Sequence, residues 1–111
     1  MKRRLTFKMK YIIVKTTFES KKDAEEVAKK LINSKLAACI QLSEMESYYR
    51  WDNKMTQAKE YKLEIKTSAN NYKKIEKLIS KNCKYKIPEI IATEIKKGSK
   101  KYLNWMRGEI C

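Results

Sequence analysis

Histidine is absent from all 111 residues. That removes the commonest protein ligand for copper or zinc and the usual general base near neutral pH. Glycine occurs twice and proline once, which leaves no room for a flexible linker, a glycine-rich phosphate loop or a low-complexity tract, and no internal repeat is present. The three cysteines, Cys39, Cys83 and Cys111, are an odd number and contain no Cys-x-x-Cys pair, so neither a disulfide framework nor a zinc ribbon is expected. The longest apolar run, Tyr11-Ile12-Ile13-Val14, is strand-sized and far short of the roughly 18 to 20 apolar residues of a membrane-spanning helix. No P-loop, Gly-x-Ser-x-Gly elbow or recognisably spaced carboxylate pair occurs, and the expectation is a protein that binds, not an enzyme.

Acidic residues are also scarce, 13 against 27 lysines and arginines, for a formal charge of +14. Such a surplus attracts nucleic acid, anionic lipid or anionic metabolites. The lysines are nevertheless scattered over nearly every segment, without the stripe that a phosphate-tracking groove requires. They read as solvated surface, and neither nucleic acid nor a membrane is an expected partner. Met1 to Lys10 begins positively, like a signal peptide, but Lys8, Lys10 and Lys15 break the apolar segment and no small-residue cleavage site follows. Residues 1–9 are read as a disordered extension, with Met9 as an alternative start, and residues 10–111 as one cytoplasmic domain with reduced thiols.

Periodicity supplies the elements. Met9 to Thr17 reads as a β-branched central strand. Ser20 caps a helix running to about Ser34, with Asp23 in its first turn and an apolar stripe of Ala24, Val27, Ala28, Leu31 and Ile32. Ala38, Ile40 and Leu42 then alternate as a strand, Met45 falls out of phase, and Ser47, Tyr49 and Trp51 resume alternation; the slip predicts a bulge near Ser43 to Glu46. Asp52-Asn53 suits a tight hairpin turn, and Tyr61, Leu63, Ile65 and Thr67 alternate on the return strand against a wet face of Glu60, Lys62, Glu64 and Lys66. Ser68 is the expected cap of a second helix with the stripe Tyr72, Ile75, Leu78 and Ile79, ending near Asn82. Cys83 to Ile87 is a loop before Pro88, Glu89 to Ile95 a fourth strand, and Gly98 a turn; Ser99 then caps a terminal helix carrying Tyr102, Leu103, Trp105 and Met106 as far as Gly108. The order predicts an α+β fold: a split βαβ, ferredoxin-like antiparallel sheet with a long hairpin between its second and third strands and an extra C-terminal helix.

That hairpin is long for its domain. Each arm spans about 14 residues, or roughly 45 Å at about 3.3 Å per residue, whereas a domain of this size has a radius of gyration near 13 Å. The tip, with Tyr48, Tyr49 and Trp51, must protrude or fold over. A protruding arm leaves aromatics and strand edges open to another copy of the chain, and oligomerisation through it is the expectation.

Five segments share their order and spacing with a known family: Leu36-Ala37-Ala38-Cys39-Ile40, Tyr49-Arg50-Trp51 with Lys54, Ile65-Lys66-Thr67, Tyr85-Lys86-Ile87-Pro88-Glu89-Ile90-Ile91, and Tyr102-Leu103-Asn104-Trp105. From about Lys10 to Trp105 the chain resembles the CutA divalent-cation-tolerance family. The resemblance implies a ferredoxin-like fold assembled as a homotrimer through its long hairpins, and a part in tolerance of, or response to, divalent metal ions, copper above all. In that family's pattern a histidine often stands where this chain has Cys83, some members have a cysteine in place of Thr16, and a Pro-Gly bend usually stands where this chain has Glu44-Met45. Cys83 is therefore the candidate metal ligand, for copper or another divalent cation, and no cofactor is otherwise implied. Cys39, between Ala38 and Ile40, is read as a small core residue.

Three functions follow as alternatives. The first is a trimeric binding protein whose inter-subunit clefts are lined by Arg50, Trp51, Lys66, Tyr85, Glu89, Tyr102 and Trp105. By analogy with signalling trimers of the PII type, Arg50 and Lys66 would hold a small anionic ligand beside a flat wall of Trp51 or Tyr85. The second is an RNA-binding module, which shares the element order but should show aromatics and glycine on its third strand; Tyr61 to Lys66 has one aromatic and no glycine. The third is an enzyme built on Cys83, for which no general base is identifiable.

Overall fold

The structure is a computed structural model that describes residues 9–111. The extension expected over residues 1–9 lies outside them, apart from Met9. In chain order the elements are β1 (Tyr11–Phe18), α1 (Lys21–Asn33), β2 (Cys39–Trp51), β3 (Lys54–Ser68), a 3-10 turn (Ala69–Asn71), α2 (Tyr72–Asn82), β4 (Ile90–Glu94) and α3 (Lys100–Glu109). The four strands form one antiparallel sheet in the order β2-β3-β1-β4, the split βαβ arrangement that the sequence predicts.

The core lies between one face of the sheet and the helix pair α1/α2. Strand alternation sends Val14, Leu63 and Ile65 to that face, where they meet Ala24, Val27 and Leu31 of α1 and Ile75 and Ile79 of α2, all essentially inaccessible to solvent. The other face carries Lys15, Glu64 and Lys66, half-buried. Ser20 caps α1, its hydroxyl accepting from the amide of Asp23 at 3.3 Å, and Ser99 caps α3 by accepting from Tyr102 at 3.2 Å.

Ser68 does not cap α2. It ends β3, its buried hydroxyl has no partner, and the intervening 3-10 turn puts Asn71 at the start of α2 instead. Asn71 is committed elsewhere. Its side-chain amide donates to the carbonyls of Leu36 (3.3 Å) and Cys111 (3.2 Å), while the Thr67 hydroxyl donates to Leu36 at 2.6 Å. The Cys111 amide also donates to Lys35, at 3.0 Å, which pins the segment after α3 to the end of α1.

The expected bulge near Ser43 to Glu46 is absent. β2 and β3 pair without a break from Cys39 opposite Lys66 to Trp51 opposite Lys54. The phase slip is instead a change of face: Ile40 and Leu42 lie on the helix side, whereas Met45, Ser47, Tyr49 and Trp51 lie on the opposite side. Beyond Ser43 the hairpin has left the helix layer, so nothing there rewards apolar residues on the helix side. Asp52 (φ 51°) and Asn53 (φ 61°) make the turn in the left-handed region, as the sequence predicts. The arm protrudes: the molecule measures 59 × 25 × 22 Å and its radius of gyration is 15.8 Å, against about 13 Å for a compact chain of this length.

Candidate functional site

Along the protruding part of the hairpin, from Glu60 to Trp51 beside the turn, the face away from the helices becomes one wall of a cleft. The opposite wall is the loop between α2 and β4, which bends at Lys86 and Ile87 ahead of Pro88. The cavity between them is about 660 Å³, within the roughly 300 to 1,000 Å³ of small-molecule sites. Ser47, Tyr49, Trp51 and Thr56 come from the hairpin, Thr17 and Glu60 from the sheet, and Tyr85, Lys86, Ile87 and Glu89 from the loop. Register explains the grouping, because Met45 lies opposite Glu60 and Tyr49 opposite Thr56, on one face of the ladder.

The floor is buried and polar: Thr17 is 3% and Glu60 7% exposed. Burial, then the neighbouring Glu60 carboxylate, pushes the Tyr85 hydroxyl well above the ordinary tyrosine range; Glu19 and Tyr49 add smaller contributions in the same direction. Lys84 at the rim turns to Asp23 of α1 at 3.6 Å.

Of the residues predicted to line one cleft, the structure brings Trp51, Tyr85 and Glu89 together here. Lys66, Tyr102 and Trp105 form a second cluster. The Lys66 ammonium donates to the Tyr102 hydroxyl at 3.4 Å and lies 5.3 Å from the ring centre, and the Tyr102 and Trp105 rings are 5.5 Å apart. Lys54, opposite Trp51, is roughly 40 Å along β3 from Lys66 at about 3.3 Å per residue. Arg50 joins neither group, since it follows Tyr49 on β2, faces the other side of the sheet and pairs with Met55.

The thiols occupy unremarkable positions. Cys83 is half-buried against the core, its Sγ donating to the Thr17 carbonyl at 3.9 Å. Cys39 is not the core residue that its neighbours suggested: it faces away from the helices, opposite Lys66, because of Ala38-Cys39-Ile40 only alternate residues can reach the helix side. Among the described residues no three His, Cys, Asp or Glu side chains gather as a metal site requires. With Cys83 turned to a carbonyl and packed on the core, the donors of one chain do not fit a copper centre. Sequence reasoning missed Glu60, Thr17 and Tyr49 as site residues. Glu60 sits in an alternation that reads as solvent-facing, and the loop carrying Tyr85, distant in sequence, reaches it.

Comparison with known proteins gives a consistent picture. Residues 12–109 match the family described as CutA1 divalent ion tolerance protein. A divalent-cation tolerance protein cutA homologue of Encephalitozoon cuniculi is 36% identical over 93 residues, 84% of this chain and 82% of its own. The divalent-cation tolerance protein CutA of Thermus thermophilus is 32% identical over 96 residues, 86% of this chain and 93% of its own. The crystal structure of CutA1 from Oryza sativa superposes with a TM-score of 0.88 at 33% identity, covering 92% of this chain and 94% of that one. With its strand order, long hairpin and matched residues taken together, the chain belongs to the CutA1 divalent ion tolerance family.

Proposed function

We propose that the chain acts as a cytoplasmic homotrimer in tolerance of divalent metal ions, copper above all, by binding a ligand between subunits and not by catalysis. The observation that carries this reading is the separation of the two clusters. Trp51, beside the hairpin turn, and Lys66, with Tyr102 and Trp105, are roughly 40 Å apart along the strand at about 3.3 Å per residue, too far to share a ligand within one chain. A neighbouring copy is what would bring one cluster against the other.

The arm supports the same reading. Tyr48, Trp51 and Met55 are 63%, 41% and 70% exposed on it, and among the described residues no strand pairs with the outer edge of β2. Wet aromatics beside an open strand edge are what a second copy covers, and a head-to-tail contact repeated three times closes a ring. A binding role is supported by the cleft lining, which pairs hydroxyl and carboxylate groups with aromatic walls and offers no imidazole or thiol. The reading of a PII-like trimer with an anion held by Arg50 and Lys66 also needs two copies, since these side chains lie on opposite faces of the sheet.

The test is to titrate copper(I) and copper(II) into wild type and Cys83→Ser while recording oligomeric mass in the same samples. A mass of three chains is expected, with copper uptake unchanged by the substitution. A single-chain mass overturns the shared cleft, and uptake lost with the thiol overturns the placing of metal chemistry away from Cys83.

A further inference from the structure

The two sides of α2 differ in charge as well as in hydropathy. Its core side holds Ile75 and Ile79, fully buried, while its first turn carries Lys73 and Lys74 and no acid, against the polarity of the helix dipole. Lys77 and Lys81 follow at helical spacing. At about 100° per residue the four lysines fall within about 100° of arc on the outward side, and all are exposed.

Lysines three and four positions apart repel each other on a helix. Among the described residues no ion pair relieves them: the pairs are Lys59 with Glu44, Lys62 with Glu64 and Lys84 with Asp23. Glu76, the one acid of α2, accepts from the Tyr72 hydroxyl at 3.2 Å, and Tyr72 packs on the core. Lys30 of α1 adds a fifth charge at the helix junction, where it donates to the neutral side chain of Asn82 at 3.2 Å. Lysines that look scattered along the sequence are thus gathered by the helix into one self-repelling stripe.

Such a stripe fits an anion of repeating charge. At about 1.5 Å per residue, Lys73 to Lys81 spans about 12 Å, and a nucleic-acid duplex presents one phosphate charge for about every 1.7 Å of its axis. A membrane surface fits less well. The apolar side of α2 is spent in the core, and the exposed positions, Lys73, Lys74, Glu76, Lys77, Ser80 and Lys81, have nothing to insert among acyl chains. Single strands want exposed aromatic platforms, which these positions also lack. With no arginine, asparagine or glutamine among them, base edges go unread.

We infer that the outward face of α2, with Lys30 beside it, docks on the phosphate backbone of a nucleic-acid duplex without reading its sequence. The surface belongs to one chain and lies across the sheet from the cleft, so it is open with or without association of copies.

Fluorescence anisotropy of a short labelled DNA duplex, titrated with the full chain between about 50 and 200 mM sodium chloride, tests this. With about three or four phosphates neutralised, affinity is expected to fall with salt at a double-logarithmic slope of about −3 to −4, or about a hundredfold across that range. Lys73→Gln, Lys77→Gln and Lys81→Gln together bring the slope close to zero. Lys96→Gln, Lys97→Gln and Lys100→Gln together remove the same charge around the start of α3 and leave the slope near the wild-type value. Lys77→Gln alone reduces its magnitude by about 1, and carries the test should circular dichroism show the triple variant unfolded. No saturable binding by wild type at the lowest salt, or an equal loss in both triple variants, overturns the assignment. Binding to phosphatidylserine vesicles that depends on the three lysines of α2, with none to the duplex, also overturns it and gives the stripe to a lipid surface.

Discussion

Glu60 of β3 and Tyr85 of the loop before β4 meet where the hairpin leaves the sheet, and burial, then the neighbouring Glu60 carboxylate, hold the phenol in its neutral form. A phenol whose folded pKa is raised stabilises the fold fully below the unfolded value near pH 10, and that contribution is lost as pH rises toward the folded value. Tyr72 is displaced in the same direction, by burial and then by its hydrogen bond to Glu76 at 3.2 Å. Thermal unfolding followed from pH 9 upward is expected to show a midpoint that falls beyond about pH 10. Tyr85→Phe makes that fall shallower, and a slope identical to wild type would show that Tyr85 is not held neutral by the fold.

Two serines that look alike in the sequence behave oppositely. Ser20 caps α1 by accepting from Asp23, so Ser20→Ala is expected to cost about 1 kcal/mol in urea unfolding. The Ser68 hydroxyl is buried without a partner, so Ser68→Ala is neutral or stabilising. Equal losses at both positions would show that Ser68 is a working cap.

At the hairpin tip, Asn53 holds φ 61° and Asp52 φ 51°. A β-branched side chain is strained there, and Asn53→Val is expected to lower stability by about 1 to 2 kcal/mol, whereas Asn53→Gly leaves it equal or higher. A silent Asn53→Val would mean that the tip is not held in this turn in solution.

Much of this fold is legible in the residues because local chemistry and burial agree. Val14, Leu63 and Ile65 alternate as a one-sided strand must, Ala24, Val27 and Leu31 recur at helical spacing, and Asp52-Asn53 supplies the only backbone chemistry its turn needs. Where the cover lies elsewhere in the chain, the pattern misleads. The slip at Met45 marks a strand leaving its helices and not a bulge, Ser68 ends a strand before any helix begins, and Cys39 faces away from the core. The candidate site is less legible still. Trp51, Tyr85 and Glu89 do converge, but Glu60 becomes a site residue because the Tyr85 loop reaches it, and no spacing along the chain encodes that contact. Arg50 and Lys66 look like one anion clamp in sequence and lie on opposite faces of the sheet.

The shared-cleft account stands or falls on the number of copies. Sedimentation equilibrium at micromolar concentration and ordinary salt, run beside Trp51→Ala, is the most direct measurement. The account predicts three times the 13.2 kDa of one chain for wild type and a smaller mass for the folded variant. A folded wild-type species at the mass of a single chain would contradict it.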